Sequence, residues 1–551
     1  MSDAQQTEIR FTESIPVERV HGALLGAAIG DALGWPQESN SGRQGQVFTP
    51  SDTLTFQSWQ RRGGSRFEAY EQHIQAGEYS DDTQLLLATA RSILRGKQWV
   101  TSLSKQEIPL WLLYERGGGG ATKRAARAWL SGSNPWTQFD KQRRSYFGAG
   151  GNGVAMRILP HVLKHGQTRE QLIRDVMRNG ILTHGHPRAL LGAIVYAYAA
   201  WWVLRVATPL PLGGVIQAIL KNRAEWEVLP RNTEGSTTDW LDAANHAFSH
   251  SYEAEWKKTV EEICAGLTLI QQAIEQQGAL LNDQTVLEQL GCFGKMKGSG
   301  VVATLAVLYL FSVYVTDPIT GLRTIAFAKS ADTDTLASML GGLFGLIHGL
   351  EWIPMTLQQV QDYDLIGDIA DRLARPSPQR EGDSIARWNE QDAQQAIEVL
   401  QMRQNTPFSL GILGNAHIQS HRRLAPLTRN LREAEEWCLR TDAGQTIYIT
   451  KVHRASVSGS AKSKEARTST ENHEVSRSED RGISTDSVEM ALQVLRKVLI
   501  SSPENSELMH DIIAGQWNDL QDTDCQVIIS RLEQFLHLVN ETTEDATSLP
   551  L

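Results

Sequence analysis

A mainly all-α fold is predicted by three observations on this 551-residue sequence. Apolar residues recur at helical spacing over most of the first 375 positions, and strands do not alternate regularly with helices there. Two uncharged runs, Ala189–Leu204 and Gly298–Thr316, nearly reach membrane-spanning length but lie between amphipathic stretches. A helix needs roughly 20 apolar residues to cross a bilayer, so both runs are expected as helices buried in a large helical core, with no membrane association.

Met1–Pro16 is polar and acidic, without the basic-then-apolar pattern of a signal peptide, and residues 1–15 are expected as a flexible N-terminus. Val20, Ala23, Leu24 and Ala27 form a helical stripe. The small residues from Gly26 to Gly34 let that helix pack closely against a neighbour, while Gly34 and Pro36 end it and leave Glu38 on a loop. Leu85, Leu86, Ala88, Thr89 and Ile93 continue a stripe after Ser80-Asp81-Asp82-Thr83. Glycine-rich breaks follow at Gly117–Gly120, Gly148–Gly151 and Gly294–Gly300, where backbone N–H groups can approach a ligand. Asp364–Ala374 is the expected last helix, ended by Arg375-Pro376-Ser377-Pro378, so the main domain spans residues 16–375.

Composition changes after that point. A helical piece at Asp392–Met402 and strand-like runs at Phe408–Leu413 and Gln445–Thr450 predict a small accessory domain, α+β, at 376–454. Residues 455–486 are rich in Ser, Thr, Lys, Arg and Glu, lack aromatics, and read as a disordered linker. Val488–Ile500, Ser506–Trp517 and Cys525–Val539 have helical periodicity, giving a helical C-terminal segment over 487–545.

Hydrophobic content of 41% and charged content of 21% are those of an ordinary globular chain. A net charge of -10 argues against a general nucleic-acid binder, which needs clustered Lys and Arg. Cys264, Cys292, Cys438 and Cys525 are scattered without metal-ligand spacing, which disfavours zinc and iron-sulfur sites and makes a reducing cytoplasm the expected compartment.

Two acidic-hydroxyl clusters carry the chemistry: Ser80-Asp81-Asp82-Thr83 and Asp332-Thr333-Asp334-Thr335, each followed by an apolar helical run. Either alone fits a helix cap, since Ser, Thr and Asp are favoured there. Both together are harder to explain so, because adjacent Asp81 and Asp82 exceed what one cap needs. If the clusters meet across the fold, their mutual repulsion calls for hard cations, and all-oxygen ligation favours Mg2+ or Mn2+ over Ca2+ and zinc. Glu38 could serve beside them as a general acid or base, or be a solvated surface residue. Gly150-Gly151-Asn152-Gly153 enters a helix and could cradle a phosphate, or be a plain turn. Thr183-His184-Gly185-His186-Pro187 suggests a ligand contact or a cap.

These motifs, with the Gly26–Glu38 segment and Gly-Asn-Gly-x-Ala-Met-Arg in the same order along the chain, resemble the ADP-ribosylglycohydrolase family over about residues 16–375. The resemblance implies an all-helical fold with two Mg2+ ions, or Mn2+ in their place, held by Ser80, Asp81, Asp82, Asp332, Asp334 and Thr335. It implies that Glu38, Asp81 and Asp334 are catalytic, that Gly148, Ala149, Gly150, Gly151, Asn152 and Gly153 hold the diphosphate and distal ribose, and that His184 contacts substrate. Gly119 and Gly120 roughly match a second phosphate-side loop. Some members carry Ser and an aromatic residue where this chain has Ala149 and Gly150, which leaves acceptor specificity open. The implied activity is hydrolysis of the glycosidic bond between ADP-ribose and a modified protein, with arginine as the expected linkage and a nucleic-acid acceptor still open. The rivals are an inactive ADP-ribose-binding module acting through its C-terminal region and a prenyl-diphosphate enzyme; oligomeric state is not legible.

Overall fold

A computed structural model of the chain describes residues 15–38, 54–206, 210–230, 237–277, 282–375, 385–402 and 407–454. The expected flexible N-terminus lies almost entirely outside these residues. The expected linker and C-terminal helical segment lie wholly outside them.

The described residues form a helical body with one antiparallel sheet. The elements used below are α1 (Val17–Gly34), β1 (Trp59–Gly64), β2 (Ala69–Ile74), α2 (Asp81–Ile93), α3 (Gly120–Leu130), α4 (Pro187–Arg205), α5 (Gly300–Tyr314), α6 (Thr333–His348), α7 (Tyr363–Ala374) and α8 (Glu390–Gln401). They are followed by β3 (Phe408–Ser409), β4 (Asn415–Pro426), β5 (Leu431–Thr441) and β6 (Thr446–Arg454).

The centre of the body is the α1–α6 pair. Four glycines at i+4 spacing on α1 lie directly against the α6 segment: a Cβ on Gly22, Gly26, Gly30 or Gly34 would fall 2.0 to 2.3 Å from the carbonyl oxygens of Gly349, Gly341, Ala337 and Thr333. Gly341 and Gly345 answer from α6, against the backbones of Gly26 and Gly22. No side chain separates the two backbones, so the carboxyl end of α1 is held against the amino end of α6. The Thr333 hydroxyl closes the crossing by donating to the Gly34 carbonyl at 2.7 Å.

α4 and α5 are the two uncharged runs, and both lie in the core. α4 is long and apolar enough to cross a membrane, yet 89% of its most apolar window is buried inside the fold. α5 approaches α4 where a Cβ on Gly192 would fall 2.4 Å from the Gly300 carbonyl oxygen.

The sheet runs β1-β2-β4-β5-β6, with β3 on β4, and all pairs are antiparallel. β1 and β2 come from the segment before α2, and Tyr70 pairs with Pro426. Residues 407–454, expected with 385–402 to form an accessory domain, therefore share a sheet with the main domain. Both segments also share its core, since Trp388, Leu400, Trp437 and Ile449 belong to the same apolar cluster as α1 and α6. Of the strand expected at Phe408–Leu413 only Phe408–Ser409 forms; a single 3-10 turn follows. Gly411 and Gly414 take φ of 55° and 75° there, which breaks extended backbone.

Candidate metal and nucleotide site

The two acidic clusters meet where α1 and α6 cross and where α2 begins. Ser80 caps α2, its hydroxyl accepting from the Asp82 amide at 3.3 Å. The Ser80 and Thr83 donors go to Asp31 of α1, whose carboxylate accepts from the Ser80 N–H at 3.0 Å, the Thr83 N–H at 2.9 Å and the Thr83 hydroxyl at 2.6 Å. The Asp81 and Asp82 side chains take no part in this capping. Asp82 is buried with one carboxylate oxygen, Oδ1, unpartnered among the described residues. Asp332 occupies the N-cap position of α6 but makes no cap bond; it accepts instead from the Asn152 side-chain amide at 3.0 Å. A cap reading leaves these oxygens unexplained.

Glu38, Asp332 and Asp334 can bring one carboxylate oxygen each within 4.8 Å of one another. Like charges at that separation repel by roughly 3 to 4 kcal/mol per pair at a typical effective protein dielectric. Asp81, Asp82 and Asp334 are all held well above the usual carboxylate range. Burial is the largest cause for each. Glu115, Asp31 and Glu38 add to it at Asp81; Asp31, Asp81 and Asp332 at Asp82; Glu38, Asp82, Asp332 and Asp31 at Asp334. The segments separated by some 250 positions therefore share one cleft. An orphaned carboxylate oxygen, mutual repulsion and an all-oxygen donor set with the Ser80 and Thr335 hydroxyls fit divalent hard cations.

Because burial raises these carboxyls, the folded state holds their protons more tightly than the unfolded chain does. Stability of the cation-free protein is then unaffected below the unfolded pKa of about 4 and falls as pH rises through the raised folded values. The increase in melting temperature on exchanging chelator for Mg2+ is accordingly expected to be larger near pH 7.5 than near pH 5. Thermal denaturation in both buffers checks this, and an equal or larger increase at the lower pH would contradict it.

The glycine turn lies beside the cluster. It is clipped to the segment before α5 by an antiparallel bridge, Gly151 with Ser299, with the Asn152 N–H donating to Gly298 and the Gly300 N–H to Gly150. The N–H groups of Gly148 and Ala149 go to the carbonyls of Arg144 and Tyr146. Among the described residues, no backbone carbonyl takes the N–H of Gly150, Gly151 or Gly153. The Asn152–Asp332 bond ties this turn directly to the acidic cluster.

His184 is buried against the same turn, its ring lying 3.0 Å from where a Cβ on Gly153 would be. Burial, then Arg157 and Arg124, lowers it to about 3, so it is neutral. Arg157 donates to the Thr183 hydroxyl at 2.8 Å, and that hydroxyl shares a hydrogen bond with His184 Nδ1 at 2.8 Å. With the Thr183 hydroxyl as the donor in that pair, His184 would carry its proton on Nε2. His186 has the other role, capping α4 by accepting from the Arg188 N–H at 3.1 Å.

Gly117 has φ of +107° and packs on Asp81; a Cβ there would fall 3.0 Å from Asp81 Oδ1. Gly119 caps α3 and Gly120 begins it, beside Arg124. A cavity of about 350 Å³ opens next to Ala149 and Thr183, lined also by Arg124, Arg127, Gln138 and Tyr146. Sequence reasoning missed Asp31, Arg124 and Glu115 as residues of this site. Asp31 had a signal: it is the lone carboxylate in a stretch of α1 that is otherwise small or apolar.

The family model for ADP-ribosylglycohydrolase matches residues 12–382, slightly beyond the expected 16–375. The ADP-ribosylhydrolase ARH3 of Danio rerio is 25% identical over 373 residues, covering 65% of this chain and 90% of that protein. The ADP-ribosyl-dinitrogen reductase glycohydrolase of Rhodospirillum rubrum is 30% identical over 173 residues, 31% of this chain and 52% of its own length. The ADP-ribosylarginine hydrolase Tri1 of Serratia proteamaculans is 24% identical over 250 residues, 42% of this chain and 62% of its own length. With more than half of its length matched by one family model, this chain belongs to the ADP-ribosylglycohydrolase family, hydrolases that act on ADP-ribosylated acceptors.

Proposed function

We propose that this chain is a Mg2+-dependent hydrolase that cleaves the bond between ADP-ribose and a modified protein side chain, arginine in the first instance. The observation that carries the reading is the convergence of Asp81, Asp82, Asp332, Asp334 and Glu38 in one cleft, tied by Asn152 to a glycine turn with amide donors to spare. Ser80, Asp81, Asp82, Asp332, Asp334 and Thr335 would hold two cations. Cations held there would supply Lewis acidity toward the ribose hydroxyls and toward a nearby water.

The remaining work falls to the protein's own groups. Glu38 takes the proton of the attacking water or returns one to the leaving group. The Gly150 and Gly151 amides and the His184 Nε2–H donate to the diphosphate, and the Arg124 guanidinium offsets its charge. The cavity beside Ala149 offers space for part of the substrate. The arginine linkage is supported by the Tri1 relative, whose name specifies it. Cys264, Cys292 and Cys438 are all free, which supports a cytoplasmic location.

A panel of proteins and peptides bearing ADP-ribose on defined side chains tests this reading. Release of ADP-ribose from the arginine-linked member is expected with Mg2+, with loss in chelator and recovery on adding Mg2+ back. Binding of free ADP-ribose without turnover on any member would overturn it in favour of a binding module.

A further inference from the structure

We propose that the β5–β6 hairpin, which lies beyond the residues matched by the family model, is a positioning element of the cation site, acting mainly through Tyr448. The proposal rests on the reading of that site as a cation site. The hairpin grips the two residues that lead into Ser80-Asp81-Asp82. The Tyr448 hydroxyl donates to Glu78 Oε1 at 2.5 Å, and Glu78 Oε2 accepts from Arg116 at 2.7 Å. One residue on, the Tyr79 hydroxyl donates to Asp362 at 2.7 Å and accepts from the Gln445 amide at 3.3 Å. Gln445 is itself held by Arg91, which donates to its Oε1 at 2.8 Å while forming a two-pronged pair with Glu107.

Arg116 carries the effect to the other wall of the site. Its guanidinium is buried between the rings of Tyr448, at 4.1 Å, and Trp35, at 5.3 Å, and two of its nitrogens, Nε and one terminal amine, have no hydrogen-bond partner among the described residues. Glu78 and the two rings therefore fix its position. The next residue is Gly117, packed on Asp81 Oδ1, and Trp35 starts the turn that ends at Glu38. Tyr448 thus bears on both sides of Asp81, from a position 367 residues away in the chain. Asp31 anchors the Ser80 and Thr83 amides from α1, and the hairpin anchors the residues just before them. Ligands held from two sides are positioned more tightly than ligands held from one, and loss of such support commonly weakens metal affinity by roughly 10- to 100-fold.

The test uses the full chain. Tyr448→Phe removes one hydroxyl and keeps the ring and the Glu78–Arg116 pair; Gln445→Glu removes the donor to Tyr79 and keeps the acceptor for Arg91. Arg432→Ala, an exposed position on β5, is the control. Calorimetric titration with Mn2+ is expected to show roughly tenfold weaker binding for Tyr448→Phe. A smaller loss in the same direction is expected for Gln445→Glu, and none for the control. In turnover assays kcat should fall with KM for the ADP-ribosylated acceptor unchanged, and melting temperatures should stay near the parent's. Parent-like Mn2+ affinity in both hairpin variants, or weakening that tracks a collapse in melting temperature, overturns the proposal. Asp81→Ala separates the two readings. If it loses Mn2+ binding while the hairpin variants keep theirs, only the positioning role fails; if it binds Mn2+ like the parent, the cation-site reading fails with it.

Discussion

Asp334→Ala is expected to lower ADP-ribose release by at least about a thousandfold in a protein that still folds. The figure follows from the several kcal/mol that cation chemistry contributes to such a transition state, at one tenfold step per 1.36 kcal/mol. Asp334 is buried, is one of the three carboxylates within 4.8 Å, and sits in the first turn of α6. Its removal also relieves repulsion with Glu38, Asp82 and Asp332. In chelator the variant should therefore melt at or above the parent temperature, while the stabilisation by Mg2+ disappears. That combination separates loss of a ligand from loss of structure. Near-parent turnover in the folded variant would contradict the assignment.

The largest effect on stability is expected at Gly30. A Cβ added by Gly30→Ala would lie 2.0 Å from the Ala337 carbonyl oxygen and 2.3 Å from its carbon, atoms of a helix backbone that cannot rotate away. The α1–α6 pair must separate by more than an ångström, and neighbouring contacts along the glycine stripe open with it. Overpacking of this kind costs at least about 3 kcal/mol. In a domain this large that lowers the melting temperature by at least roughly 3 to 4 °C. Because α1 carries Asp31 and leads to Glu38, while α6 begins at Asp332 and Asp334, cation affinity should fall as well. Gly294→Ala is the control, since the nearest atom to its added Cβ is 3.8 Å away. Thermal denaturation of both variants decides the matter; a Gly30→Ala protein as stable as the parent would refute the close-packed crossing.

Much of this arrangement is legible in the residues. The stripes of α1 and α2 follow 3.6-residue periodicity, and the small residues from Gly26 to Gly34 announce a close helix contact. The acidic clusters announce chemistry because they hold more carboxylates than capping requires. What is hidden is hidden for physical reasons. β1 reads Trp-Gln-Arg-Arg-Gly-Gly, and its burial does not alternate, so it has no period of two to detect. β4 is largely polar and exposed along its length. Both are strands because of partners far away in sequence, as the Tyr70–Pro426 pairing illustrates. The capping role of Asp31 and the grip of Tyr448 on Glu78 likewise depend on contacts that no local pattern encodes. Ser80 shows the opposite case, where a cap and a candidate ligand are the same residue and sequence alone cannot separate the two uses.

The central claim is that carboxylates from two distant segments jointly hold divalent cations. Anomalous diffraction from crystals grown with Mn2+ tests it most directly. The expected map has manganese peaks in the cleft bounded by Ser80, Asp81 and Asp82 on one side and by Asp332, Asp334 and Thr335 on the other, within ligand distance of oxygens from both segments. A map with no peak there at saturating Mn2+, or with peaks bound by one segment alone, would contradict the account.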